Sequence, residues 1–479
     1  MDFAEESQAT RTVRSRSWRL RTGERRALLV FGDLLAAGSA MLAALFLWAR
    51  FDYLGPEPSL EFLRARAPWF VSLPLIWLVL MVNLYDVHRA SSWREMLRGV
   101  IFAALVGGVL YLALFFTADG SLPRRGVAYF LALAGGLTLV WRAGYIRIFT
   151  APTFMRRVLL VGAGETGTAL VRVIKGLWPP PFYLVGMVDD DQKKQGRDFE
   201  GAAVLGDNRS LQQVIEEEGV SDIVVAISGP MSGEMFQSLL DAQQHGVEIT
   251  RMPAAYEDLL GRVPINHLES DWLLRSFMDE ARVSGFYLLG KRILDILGGL
   301  LGMLIFLLAL PLIAITIALE SGRPIFYRQA RLGQGGRLFE VIKLRTMRAD
   351  AEAHGQAQWA QVNDPRATFV GRLLRRIHLD EFPQFWNVLK GQMSLVGPRP
   401  ERPELVAELE QEIPFYRARL LVKPGITGWA QVNYGKGASV EGSAEKLEFD
   451  LYYIKHRSML MDLWIVLRTA GAVLRLRGV

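Results

Sequence analysis

Cysteine is absent from all 479 residues. That excludes disulfide frameworks, thiolate zinc sites and a cysteine nucleophile, and it agrees with a reducing cytoplasmic face. Histidine is scarce, six in all, with none at metal-ligand spacing. There is no low-complexity stretch and no internal repeat. No motif that reads a nucleic-acid groove accompanies the arginines, so no nucleic-acid partner is expected. What is abundant is apolar: 51% of the residues are hydrophobic and the mean hydropathy is +0.19, which excludes a disordered chain and calls for membrane segments. The net charge of +6 matters less than its placement, since seven arginines fall between Arg11 and Arg26, directly before the first apolar run. No small-residue cleavage site follows, so this is read as a cytoplasmic anchor rather than a signal peptide.

Four apolar runs, at about 27–49, 69–84, 100–116 and 127–141, come close to the ~20 residues a spanning helix needs, two of them short. Arginine is concentrated before the first run, in the second loop (Arg89, Arg94, Arg98) and after the fourth (Arg142, Arg147, Arg156, Arg157). The positive-inside rule then puts both ends of a four-helix bundle, residues 1–150, on the cytoplasmic side of a membrane. Asp33, early in the first run, reads as a side chain that snorkels to the interface. Residues 151–265 show strands alternating with helices, the pattern of a Rossmann-like α/β domain, and 266–289 read as an amphipathic linker. A fifth apolar run, at about 293–319, contains Pro311 near its centre. It either crosses the membrane or bends at Pro311 and returns; the basic segment beyond it (Arg323, Arg328, Arg331, Arg337, Lys343, Arg345) favours the re-entrant form, over about 292–319. An α/β catalytic domain, 290–479, is expected around it.

Five patterns carry chemistry. Gly162-Ala163-Gly164-Glu165-Thr166-Gly167 follows a strand and opens a helix, and Asp189 lies 22 residues beyond Gly167. Gly162, Gly164, Gly167 and Asp189 fit a dinucleotide fingerprint, with pyrophosphate at the helix start and the acid on a ribose hydroxyl. They fit equally a module that keeps its glycines for packing. Tyr287 and Lys291 have the spacing of a Tyr/Lys proton-transfer pair, or are interface anchors before the fifth run. Around Asp380-Glu381, Pro383 and Gly391 predict a helix over about 381–390 with Asp380 at or beside its N-cap. The helix dipole there would keep the carboxylate ionised, and the two adjacent acids should have different partners; a plain acidic N-cap is the competing reading. His378 reads as a surface or helix-contact residue. Pro398-Arg399-Pro400 would present a stiffened guanidinium to phosphate oxygens, and Lys423-Pro424-Gly425-Ile426-Thr427-Gly428-Trp429 could hold a base and ribose. Together these are the parts for phosphoryl transfer from a nucleotide sugar to a lipid.

From about residue 290 onward the chain resembles the bacterial sugar transferases, the polyprenyl-phosphate hexose-1-phosphate transferases. The matching strings are Lys291-Arg292-Ile-Leu-Asp295, Phe326-Tyr327-Arg328-Gln329 with Gly333, Lys343-Leu-Arg345-Thr346-Met347, Leu379-Asp380-Glu381-Phe382-Pro383-Gln384, Leu395-Val396-Gly397-Pro398-Arg399-Pro400, Lys423-Pro424-Gly425-Ile426-Thr427-Gly428 and Asp450-Leu451-Tyr452-Tyr453. The first 290 residues resemble the long members' extension, four membrane helices and a domain labelled CoA-binding. The resemblance implies that Asp380 attacks the β-phosphate of a UDP-sugar, expels UMP and holds the sugar phosphate until undecaprenyl phosphate takes it. It implies Mg²⁺ at Asp380 and Glu381, phosphate at Arg375 and Arg399, and places for Lys343, Arg345 and Asp450 in or around the site. It implies a re-entrant helix, although Leu310 stands where many short members have Ser. It further implies a homodimer, glucose before galactose as the sugar, and a place in exopolysaccharide assembly. The rival readings are a membrane-tethered NAD(P)-dependent sugar-nucleotide enzyme and a non-catalytic assembly scaffold.

Overall fold

The computed structural model describes residues 22–51, 60–85, 90, 92–117, 124–149, 155–178, 180–267, 284–347, 366–434 and 439–474. Most of the basic N-terminal segment (1–21) and most of the expected linker (268–283) lie outside the described residues. The chain divides into two compact units, Met1–Ala255 and Tyr256–Val479.

The four N-terminal apolar runs form helices α1 (Thr22–Phe51), α2 (Leu60–Leu80), α3 (Trp93–Thr117) and α4 (Arg124–Phe149). Helices α1, α3 and α4 are each long and apolar enough to cross a hydrocarbon core of about 30 Å, whereas the apolar part of α2 is the shorter Val71–Leu80. Exposed side chains such as Leu42, Phe46, Leu105 and Val140 are apolar, as lipid-facing positions require. Asp33 does not snorkel. It is fully buried and paired with the equally buried Arg142, whose Nη2 lies 2.6 Å from Asp33 Oδ2. A second guanidinium nitrogen of Arg142 donates to the Leu84 carbonyl at 3.0 Å. A charge in an apolar bundle persists only with such a partner, so Arg142 serves the bundle interior rather than the cytoplasmic surface.

The α/β part of the first unit contains β1 (Arg157–Val161), α5 (Glu165–Gly176), β2 (Tyr183–Val188), β3 (Asp198–Phe199), β4 (Ala202–Gly206), α6 (Leu211–Glu218), β5 (Asp222–Val225), α7 (Gly233–Gln244) and β6 (Glu248–Arg251). The sheet order is β3-β4-β2-β1-β5-β6, parallel except for the β3–β4 edge. The connections therefore reverse direction at β1, which places the glycine turn at the switch point of a doubly wound sheet.

Helix α8 (Met252–Leu260) leads into the second unit. The division after Ala255 falls before the boundary at 265 read from sequence. The reason is burial: Val263 and Ile265 belong to the core of the second unit. That unit continues with α9 (Gly285–Ser321), the antiparallel pair β7 (Phe326–Leu332) and β8 (Leu338–Leu344), α10 (Phe369–Arg376), and a 3-10 segment Leu379–Gln384 running into α11 (Phe385–Leu389). Then come β9 (Ser394–Val396), α12 (Pro403–Glu412), a 3-10 segment Tyr416–Leu421, β10 (Gly425–Thr427), α13 (Trp429–Asn433), α14 (Val440–His456) and α15 (Met459–Leu474). Strands β9 and β10 pair in parallel.

Helix α9 is the long apolar element of this unit, 37 residues running uninterrupted through Pro311. Its buried positions (Tyr287, Asp295, Gly299, Gly302, Phe306, Ile313 and Ile317) recur at helical spacing as one stripe, and leucines 297, 301, 304, 308, 312 and 319 are exposed. Three glycines on or beside the stripe let neighbours approach closely. A Cβ at Gly298 would meet Leu395 at 2.4 Å, one at Gly299 Leu389 at 2.9 Å, and one at Gly302 the Phe385 ring at 2.5 Å.

Candidate active site

Asp380 and Glu381 sit in the 3-10 segment, not at the start of an α-helix as expected. Its first turn follows His378, whose φ of +58° puts that residue, rather than Asp380, at the N-cap. The predicted stop is where expected: Gly391 adopts φ +80°, a left-handed conformation that suits glycine. Both acids are 9% exposed, but only Glu381 has partners among the described residues. Lys343, from β8, places Nζ 2.8 Å from Glu381 Oε1. Arg399, beyond β9, forks onto the same carboxylate, with Nη1 3.2 Å from Oε2 and Nη2 donating to Oε1. Asp380, in contrast, receives no hydrogen bond or ion pair from any of the described residues.

The electrostatics follow from this asymmetry. Burial pushes the Glu381 carboxyl up, but Arg399 and Lys343 outweigh it and hold the group well below the usual range. For Asp380, burial and then the Glu381 charge push the carboxyl up, and the pull of Lys343, Arg399 and Arg375 does not cancel them. The expectation of a carboxylate kept ionised by a helix dipole is thus replaced by a desolvated one beside a fixed negative charge. A magnesium ion takes one or two carboxylates and completes its shell with phosphate and water; of the two acids here Asp380 is unbonded, while Glu381 already holds Lys343 and Arg399. Among the described residues no cluster of three or more ligating side chains exists, so substrate oxygens would have to supply the rest.

The other expected site residues divide. Arg375, in the last turn of α10, lies within electrostatic reach of Asp380. Arg345 turns away, its guanidinium on the carbonyls of Arg323 (3.0 Å) and Met347 (3.3 Å). Asp450 is buried behind the site and pairs with the buried Arg419 at 2.9 Å. Arg419 was not singled out in the sequence, yet it donates to the Arg399 carbonyl at 3.1 Å and to the Tyr416 hydroxyl at 2.6 Å. Arg331 does the same for the Pro400 carbonyl at 3.0 Å. These two arginines fix the loop that presents Arg399. No local signal marks them, because each acts on a backbone carbonyl far away in the chain. Burial pushes the Asp450 carboxyl up to about 6, although Arg419 opposes the shift.

The two glycine-proline strings form one structure. A Cβ on Gly397 would meet the Lys423 carbonyl at 2.3 Å, and one on Gly428 the Gly397 carbonyl at 2.2 Å, so backbone packs on backbone here. Trp429 is spent internally, stacked on Tyr452 with its Nε1 donating to the Gly261 carbonyl at 2.7 Å, so it is not offered to a base. Tyr287 and Lys291 are neither a redox pair nor interface anchors. Both contact the buried Asp462, at 3.0 and 2.9 Å, within a network that includes Tyr453.

In the α/β domain, Gly162 takes φ +110° and Gly164 caps α5. Gly167 is required by packing, since its Cβ would meet the Gly162 carbonyl at 2.0 Å. Asp189 is already engaged: it accepts from the Ala163 backbone at 2.7 Å and from Lys194 at 3.0 Å. The acid expected on a ribose hydroxyl ties the glycine turn to β2.

Residues 286–476 match the family described as bacterial sugar transferase, and residues 81–253 match a CoA-binding domain family. The chain is 30% identical over 438 residues to a UDP-glucose:undecaprenyl-phosphate glucose-1-phosphate transferase of Xanthomonas campestris pv. campestris, covering 85% of this chain and 87% of that one. It is 30% identical to an undecaprenyl-phosphate glucose phosphotransferase of Komagataeibacter xylinus, covering 81% and 73% respectively. It is 40% identical over 51% of its length to a UDP-N-acetylgalactosamine-undecaprenyl-phosphate N-acetylgalactosaminephosphotransferase of Aeromonas hydrophila, of which it spans 56%. With the acidic pair, its two cations and the apolar helix assembled in the matched segment, and with that similarity extending over most of the chain, the protein belongs to the bacterial sugar transferase family.

Proposed function

We propose that the protein transfers a hexose-1-phosphate from a UDP-sugar to undecaprenyl phosphate, releasing UMP. The observation that carries this reading is the pairing of a buried, unbonded carboxylate, Asp380, with a neighbour, Glu381, clamped by Lys343 and Arg399. An Asp380 oxygen attacks the β-phosphorus, the bond from that phosphorus to the bridging oxygen breaks, and UMP leaves with the bridging oxygen. An oxygen of undecaprenyl phosphate then attacks the same phosphorus and frees the Asp380 carboxylate. Because the bond between the sugar and its phosphate oxygen is untouched, the anomeric configuration is retained. In this reading Arg399 and Lys343 take phosphate oxygens with the N–H groups they do not use on Glu381, and Arg375 adds positive charge beside them. A magnesium ion held by Asp380 and Glu381 would supply charge neutralisation for the diphosphate. Glucose is favoured, as in the names of the two relatives with similarity over most of their length, with galactose next; the reaction would open exopolysaccharide assembly.

We place the protein in the inner membrane with the second unit on the cytoplasmic face, and α9 entering the membrane without crossing it. The support is that the same unit holds α9 at both ends: Tyr287 reaches Asp462, while Glu320 accepts from the backbone of Val370 at 2.9 Å. A crossing helix would leave those ends in different compartments. The test of function is UMP release from UDP-glucose, UDP-galactose and UDP-N-acetylgalactosamine with Mg²⁺ and undecaprenyl phosphate. Release with one sugar that Asp380→Asn abolishes is expected; none with any sugar from folded protein would refute the reading.

A further inference from the structure

One turn of α9 touches both halves of the site. Arg292 donates to the carbonyls of Val388 (2.9 Å) and Leu389 (2.8 Å), the end of the helix that follows Asp380 and Glu381. Asp295 Oδ1 accepts from the Ser394 hydroxyl and the Leu395 backbone, both at 2.8 Å, on the strand that runs into Arg399. Lys291 donates to the Val396 carbonyl of that strand at 3.0 Å. These polar groups lie in an otherwise apolar helix, yet Asp295 is buried and all five of these hydrogen bonds are made to protein groups. Gly298, Gly299 and Gly302, just beyond, admit Leu395, Leu389 and Phe385 against the helix backbone, so both elements dock on one short stretch.

We infer that the Lys291–Asp295 turn is a positioning element, which sets the separation between the Asp380–Glu381 segment and the Arg399 loop from within the membrane helix. None of its residues touches the reacting atoms. The inference deepens the proposed function and rests on it for its kinetic expectation. If the turn only stabilised the fold, its loss would lower the fraction of active protein and leave KM unchanged, because molecules still folded would bind substrate normally. If it positions Arg399, the KM for the UDP-sugar rises.

The test uses the full chain in detergent–lipid micelles. Asp295→Ala should raise KM about tenfold, the effect of about one well-placed hydrogen bond or slightly more. Asp295→Asn should stay near wild type, since both contacts donate to a single oxygen that Asn retains. Arg292→Met should also raise KM, and it decides the matter if Asp295→Ala does not fold. A second readout is independent of activity. The chain has no native cysteine, so spin labels at the exposed Lys390 and Glu404 report the separation directly. One narrow distance is expected in the wild type and Asp295→Asn, and a broadened one in Asp295→Ala or Arg292→Met. Unchanged KM and unchanged distances in the folded variants would overturn the inference. Broadened distances in the variants, with no UMP released by the wild type either, would overturn the proposed function alone.

Discussion

Gly302→Ala is a one-carbon change whose cost can be worked out from the packing. The added Cβ would stand 2.5 Å from the Phe385 ring, where ordinary contacts begin near 3.4 Å, so ring and helix must part by about 0.9 Å. The ring cannot simply swing away, because Phe382 packs edge-on against it with centroids 5.4 Å apart. Overpacking of this kind costs about 1–3 kcal/mol, which a folded domain can absorb. Catalysis should be hit harder. Phe385 follows Asp380 and Glu381 within two helical turns, and a misplacement of about 1 Å can lower a rate about a hundredfold. Gly298→Ala is the internal control: its Cβ would meet the flexible end of Leu395 at 2.4 Å, which can rotate, so its loss should be several-fold smaller. The assay is UMP release at saturating UDP-sugar, with thermal unfolding measured in parallel. Phe385→Leu in the Gly302→Ala background should recover most of the activity, a coupling that a double-mutant cycle quantifies. Wild-type turnover in Gly302→Ala, or no recovery in the double variant, would refute the reasoning.

Three further outcomes are expected. Arg142→Met should destabilise the bundle by about 3–5 kcal/mol, because Asp33 is left buried and unpaired, whereas Asp33→Leu with Arg142→Met should regain most of that in a detergent melting assay. Asp189→Ala releases the Ala163 N–H and Lys194, so the α/β domain should lose about 1–3 kcal/mol in thermal unfolding with UMP release unchanged. Asp450, with its carboxyl raised from 3.8 to about 6 in the folded protein, holds a proton there that the unfolded chain has already lost. Its contribution to stability is therefore complete below about pH 4 and is lost as pH rises to about 6. Asp450→Asn should flatten that part of the profile, measured by denaturant unfolding from pH 4 to 7.

Several elements were legible in the sequence because their signals are local. Apolar runs became α1 to α4 and α9, the glycine turn after a short strand became the loop between β1 and α5, and Gly391 ended its helix with a positive φ. The Asp380-Glu381 pair was visible too, since adjacent residues on a helical turn must face different ways. What α9 does with its polar residues was not visible. Tyr287 and Lys291 look like interface anchors in a string, and only the packing shows Lys291 and Asp295 holding β9.

By itself the sequence determined which segments are apolar, where turns must fall and which acids and cations were available, because hydrophobic periodicity and backbone chemistry operate over a few residues. Only the tertiary structure decided their partners. Lys343 and Arg399 come from 38 and 18 positions away to clamp Glu381 and leave Asp380 unbonded, Asp189 is consumed by its own glycine turn, and Asp450 acts through Arg419 on the Arg399 carbonyl. An ion pair or a backbone acceptor exists only where folding has already removed water and brought distant groups within about 3 Å, and no local pattern of residues encodes that proximity.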